Sequence, residues 1–163
     1  MRALIPEPID LNKLAEKAEP STKELFKKWK KKSPEKLDEK IQKLHKEVFE
    51  KIDCLNCGNC CRTLGPRITD RDIDKVARYL KIRPSEFASK YLRIDEDNDY
   101  VFKSMPCPFL GSDNYCSVYP ARPKACAEYP HTDRRKFNQI LDLTIKNTFT
   151  CPAVYEIVER LKK

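Results

Sequence analysis

Eight of the 163 residues are cysteines. Four of them crowd into Cys54-Leu55-Asn56-Cys57-Gly58-Asn59-Cys60-Cys61, and the others follow singly at Cys107, Cys116, Cys126 and Cys151. In a chain whose first residues show no export signal, thiols at this density read as metal ligands before disulfides. Two ligand grammars overlap in the run. Cys54-x2-Cys57-Gly58 has the form of a zinc knuckle, two thiolates on one tight turn with a glycine free to take positive φ. Cys54, Cys57 and Cys60 at two-residue intervals are also the run that wraps corners of a [4Fe–4S] cluster in bacterial-type ferredoxins. The spacing does not match the C-x3-C-x2-C of radical enzymes that cleave S-adenosylmethionine. All eight cysteines are candidate metal ligands, for an iron–sulfur cluster, possibly two, or for zinc.

The doubled Cys60-Cys61 constrains the grouping. On an extended backbone, consecutive side chains point to opposite sides. The two thiolates then serve two sites, unless a strained vicinal disulfide joins them. Splitting the pair gives two fours: Cys54, Cys57, Cys60 and Cys151 in one, Cys61, Cys107, Cys116 and Cys126 in the other. Cys151 suits the remote position because a proline follows it. His131 could replace a thiolate but reads as a surface residue, and His45 reads as structural. Arg122, Tyr119 and Tyr129 surround the Cys116–Cys126 segment. Arg122 either offsets thiolate charge or caps carbonyls of a proline-bound turn.

The remaining composition bounds the answer. Apolar residues make up 40% of the chain and charged residues 36%, so the core is thin and metal cross-links would add stability. The formal charge of +8 counts the cysteines as neutral. Eleven lysines face six acids in residues 23–51. That stretch holds no arginine and reads as a solvated helical face, not a nucleic-acid patch. Pro6, Glu7, Pro8 and Asp10 interrupt the start of the chain, and no stretch has the length of a membrane helix. The expectation is a cytoplasmic protein with no membrane partner; a protein partner is left open.

The elements that must position the thiols are mostly short. Residues 10–18 form a helix that Pro20 ends. Ser21–Glu24 then has capping-box form and opens a helix with Leu25, Phe26 and Trp29. Ser33-Pro34 starts the clearest amphipathic helix, with Leu37, Ile41, Leu44, Val48 and Ile52 on one face. Thr69-Asp70 and Arg83-Pro84 start two more. A hairpin turns through Asp95–Asp99. Met105–Pro108 is extended, Gly111–Asn114 is a turn, and a short helix carries Cys126. Residues 134–149 fit helix at their start and either state at their end. Cys151-Pro152 opens a last helix. The fold class expected is an α-rich α+β protein: a helical N-terminal arm over 1–52, then a small irregular metal-organised domain with short hairpins over 53–163.

Cys54-x2-Cys57-x2-Cys60-Cys61, then Cys107-Pro108-Phe109-Leu110, then Cys116-x2-Tyr119-x2-Arg122-Pro123-x2-Cys126, resembles the YkgJ-like cysteine-cluster family, from about residue 54 to about 152. The resemblance implies chelation of zinc or iron. It also touches the flagellin lysine N-methylases, larger proteins with a similar cluster, which implies a second reading: methyl transfer from S-adenosylmethionine to protein lysine. The three glycines, Gly58, Gly65 and Gly111, are too scattered to form a nucleotide loop. A zinc-dependent nucleic-acid or protein adaptor is the third reading.

Overall fold

The computed structural model describes residues 8–163, and the N-terminal positions 1–7 read above for a targeting signal lie outside them. The described residues form nine α-helices and one two-stranded antiparallel sheet, an α-rich α+β protein. They gather into two compact units. The first takes in the chain up to Asp53 together with Pro130–Lys163; the second is Cys54–Tyr129. None of the described helices is long and apolar enough to cross a membrane.

The first unit is helical. It contains α1 (Pro8–Trp29), α2 (Pro34–Phe49), α8 (Leu141–Thr148) and α9 (Pro152–Leu161). One apolar stripe runs the length of α1 through Leu11, Ala15, Thr22, Phe26 and Trp29, all buried. Pro20 was expected to end a helix and does not; it lies inside α1. A proline cannot donate to the carbonyl one turn back and normally breaks a helix. Here its ring faces solvent and the helix runs on through it; the side chains that follow bond back to a neighbouring carbonyl. The hydroxyls of Ser21 and Thr22 each donate to Ala18 O at 2.9 Å, and Lys162 Nζ reaches the same carbonyl at 3.5 Å. Ser21–Glu24 is therefore no capping box, because the serine bonds backwards into a continuing helix.

α2 follows the expected face, with Leu37, Ile41 and Val48 buried. α9 is the central helix of the unit, burying Ala153, Val154, Ile157, Val158 and Leu161. The core joins these to Phe26, Trp29, Phe137 and Leu141. Residues 134–149 resolve as a 3-10 turn at Phe137–Ile140 followed by α8, with no strand. Asp38 of α2 holds that turn. Its carboxylate accepts from Lys136 N at 2.7 Å and from Phe137 N at 2.8 Å. The exposed lysines of α1 pair with acids one turn away, Lys23 with Glu19 and Lys28 with Glu24.

The second unit contains α3 (Cys54–Cys57), α4 (Asn59–Thr63), α5 (Asp70–Leu80), α6 (Pro84–Tyr91), the hairpin β1 (Leu92–Ile94) and β2 (Tyr100–Phe102), and α7 (Lys124–Glu128). The hairpin expected around Asp95–Asp99 pairs Leu92 with Phe102 and Ile94 with Tyr100, and Ile68 adds a bridge to Tyr100. Thr69 and Asp72 form a reciprocal capping box on α5. The core is aromatic and small: Ile73, Val76, Phe87, Leu92, Phe102, Phe109 and Val118. Phe109 meets Phe87, Tyr91 and Phe102 with ring centroids 4.8–6.1 Å apart. Cys107 and Cys116 pack half-buried against this core.

Candidate metal centre

The run Cys54–Cys61 is two single helical turns joined at Gly58. Gly58 N donates to Cys54 O at 3.0 Å, closing α3, and Arg62 N donates to Gly58 O at 3.2 Å, opening α4. Gly58 takes φ 57°. A Cβ there would also stand 3.1 Å from Arg62 Nη1 and 3.4 Å from Asn114, so glycine suits the position best. The expectation that Cys60 and Cys61 point to opposite sides fails. The pair lies in α4, not on extended backbone, and successive helical side chains diverge by only about 100°. Their sulfurs stand 4.0 Å apart. That is well beyond the roughly 2.05 Å of a disulfide, so the vicinal bond is not formed. It is close enough for both to face one centre.

The second thiol segment is tied to the first at three points. Cys107 N donates to Cys61 O at 2.8 Å. Asn114 Nδ2 donates to Asn56 O at 3.0 Å, and Asn114 Oδ1 accepts from Arg62, whose other nitrogen donates to Cys57 O at 2.8 Å. Asn114 sits at φ 67°, a left-handed position that asparagine tolerates. The Cys107–Leu110 stretch is a turn closed by Leu110 N donating to Cys107 O at 3.1 Å. Pro108 occupies its second position, where its fixed φ fits. The expected extended run therefore stops at Cys107. Leu110 then bridges Cys116, and Ser117 N donates to Phe109 O at 2.8 Å. This folds Cys116 back alongside Cys107.

Cys126 comes from α7, a helix with no cap of its own, because Pro123 stands at the N-cap. Asp72 of α5 accepts from Lys124 N at 2.9 Å, and Lys75 Nζ donates to Arg122 O at 2.7 Å. Arg122 takes the carbonyl-capping role, with a weaker pull on the Cys116 thiol beside it. Its Nη1 donates to Tyr119 O at 3.2 Å, its guanidinium lies 3.9 Å over the Tyr119 ring, and its charge favours the Cys116 thiolate.

Four thiols from four segments act on one another electrostatically. Burial, then the neighbouring Cys61 and Cys116, push Cys107 up to about 11. Burial also raises Cys116, with Cys61 adding to it. Cys126 is pushed up to about 12, first by desolvation of its sulfur and then by Cys107, Cys61, Cys116 and Asp72, although the residue as a whole is exposed. Cys61 goes the other way. A hydrogen bond from the Cys60 thiol brings it down to about 7, and Arg62 contributes. Thiolates that repel one another in a half-buried cluster are a donor set that a cation relieves, and thiolates suit both zinc and iron–sulfur groups.

The remaining candidates are placed differently. Cys54 is exposed and Cys57 half-buried on α3. Cys151 belongs to the first unit, heads α9 and packs half-buried against that unit's core. His131 also lies in the first unit, at φ 66°. His45 Nδ1 bonds Thr132 Oγ1 at 2.8 Å and its ring meets Phe49, the structural role expected of it. Among the described residues no three cysteine, histidine or acidic side chains converge on a point that a single ion could occupy. Sequence reasoning missed Arg62, Asp72 and Asn114. Asp72 had a signal in Thr69-x2-Asp72, a capping box written with aspartate; Asn114 was read only as a turn residue.

A cysteine-rich metal-binding domain is what the thiol groups and the short elements around them define. Residues 53–151 match the CxxCxxCC family, described as a "putative zinc- or iron-chelating domain", and the chain belongs to that family. An uncharacterized protein of Methanocaldococcus jannaschii is 33% identical over 84 residues, covering 48% of this chain and 44% of its own length. The chain thus spans less than half of the curated relative it matches. No solved structure matches.

Proposed function

We propose that this metal-binding chain carries its centre in the second unit and that the centre is iron–sulfur. Cys61, Cys107, Cys116 and Cys126 would hold one group. Cys54, Cys57 and Cys60 are further candidate ligands in the same unit. The observation that carries the reading is the mutual electrostatic contact of four thiols drawn from four segments of the chain. A zinc ion takes four thiolates at about 2.3 Å, whereas a cluster spreads its cysteines around a larger body; the third cysteine of the Cys54-x2-Cys57-x2-Cys60 run supports iron–sulfur over zinc. Held there, a cluster would supply electron transfer, and the positive charge of Arg122 would tune it. The cytoplasm, where thiols are kept reduced, suits this chemistry.

The test is purification without oxygen after expression with iron and sulfide supplied. The expected protein is brown, with broad visible absorption that bleaches on reduction or in air, and contains iron and acid-labile sulfide. Stoichiometric zinc with no sulfide from that preparation would overturn the iron–sulfur reading and leave a zinc protein.

A further inference from the structure

We infer that Asp72 is the positioning residue for Cys126, acting as the N-cap that α7 lacks, and so governs metal affinity at the Cys61–Cys107–Cys116–Cys126 group. The inference rests on that group being the metal centre. α7 begins at Lys124 behind Pro123. A proline offers no side-chain acceptor, so the first amides of a five-residue helix have no local partner. Asp72 supplies one from 52 positions away in sequence.

Its carboxylate is fully engaged. One oxygen accepts from Lys124 N at 2.9 Å; the other accepts from Thr69 N at 3.0 Å and from Thr69 Oγ1 at 2.7 Å. Asp72 is 3% exposed, a burial a carboxylate tolerates only when bonded this way. The same group therefore caps two helices, its own α5 and the remote α7. Lys75, one turn on, takes Arg122 O at 2.7 Å. Two side chains of α5 thus grip the backbone on either side of Pro123, one at a carbonyl and one at an amide. Cys126 follows two residues after the gripped amide. Cys126 stays within electrostatic reach of Cys61, Cys107 and Cys116 only while α7 keeps its start and its direction. Arg122-Pro123 has no other anchor of this kind among the hydrogen bonds described.

The experiment compares Asp72→Ala, Asp72→Asn and Val76→Ala in the full chain. Val76 is a buried core residue of α5, so its truncation weakens the same helix but leaves the carboxylate in place. Asparagine keeps one carbonyl oxygen to accept from Lys124 N. Two quantities are read: hydrogen exchange of the Lys124 amide in the metal-free protein, and zinc affinity by competition with a chromophoric chelator. The inference expects Asp72→Ala to release the Lys124 amide and to lower zinc affinity about 10- to 100-fold, the usual effect of losing a group that orients a ligand. Asp72→Asn keeps the bond from Lys124 N but loses the one from Thr69 N, so it protects the Lys124 amide and falls between wild type and Asp72→Ala in zinc affinity. Val76→Ala lowers the melting temperature at least as much but keeps Lys124 protected and zinc affinity within about twofold. Wild-type zinc affinity in Asp72→Ala, or an equal loss in Val76→Ala, overturns the inference. Wild-type protein that takes up no metal overturns the functional reading instead. In that event the capping claim is decided by Lys124 exchange alone, and unchanged protection in Asp72→Ala refutes it.

Discussion

The two units solve the same stability problem with different materials. The first unit packs helices whose apolar faces the sequence spells out at three- and four-residue steps, and its core holds twelve buried residues. The second has nine, short elements, and seven of the eight cysteines. Its thiol-bearing segments are held by a few individual hydrogen bonds, among them Cys107 to Cys61, Asn114 to Asn56 and Arg62, Lys124 to Asp72 and Lys75 to Arg122. Both units use one device in common. Asp38 caps the turn before α8 as Asp72 caps α7. In the first unit this adds to an apolar core that already holds the segment. In the second the segment carries a thiol, and little apolar surface backs it up. The same bond therefore serves packing in one unit and ligand placement in the other.

This contrast can be broken most directly by removing the metal. Cysteine-held metal contributes about 10 kcal/mol or more to small domains that depend on it. Stripping the protein without oxygen should raise hydrogen exchange across residues 54–64 and 105–128 while α2 and α9 keep their protection. Equal protection of both units before and after stripping would erase the distinction. The converse change is Phe137→Ala, at a residue 0% exposed in the first core. It should cost about 3–5 kcal/mol of that unit's stability, read as a lower melting temperature, with metal content per folded chain unchanged. Asp38→Ala should cost less, about 0.5–2 kcal/mol, again with no effect on metal. A loss of metal in either variant would show that the units are not energetically separate.

The smallest effect concerns pH. Burial lowers His45 below its ordinary value, against a weaker opposing pull from Asp133. A base whose folded pKa is depressed binds its proton more readily when unfolded. The stability it contributes is present above the unfolded value near 6.5 and is lost as pH falls through the folded value. Denaturation of the first unit between pH 7 and 5 should therefore show a stability slope that His45→Gln flattens. A slope unchanged by the substitution would place the titration elsewhere.

Much of this fold is legible in the sequence. The α2 face, the α5 cap, the hairpin at Asp95–Asp99 and the final helix all carry local signals that the structure follows. Metal binding was legible from thiol spacing, because ligand geometry demands specific intervals. The failures have physical causes. Pro20 misled because a helix break is a local rule, and here burial of Leu11, Ala15, Phe26 and Trp29 on one face of α1, with the proline ring exposed on another, holds one helix on both sides of it. Cys60-Cys61 misled because an extended backbone was assumed where Gly58 sets a new helical turn. The return of residues 130–163 to the N-terminal helices could not be read, since periodicity marks an apolar face and not its partner. Asp72 was hidden for the same reason. Its second capping bond goes to a residue 52 positions away.

The central claim is that a metal centre depends on the thiols gathered in the second unit. Its most direct test is the metal and sulfide content per chain of Cys107→Ser/Cys116→Ser, beside the wild type, both made without oxygen and with iron and sulfide supplied. The double variant is expected to lose at least half of the wild-type content, while the helical signal and melting of the first unit stay as they were. A double variant that keeps the full wild-type content would contradict it.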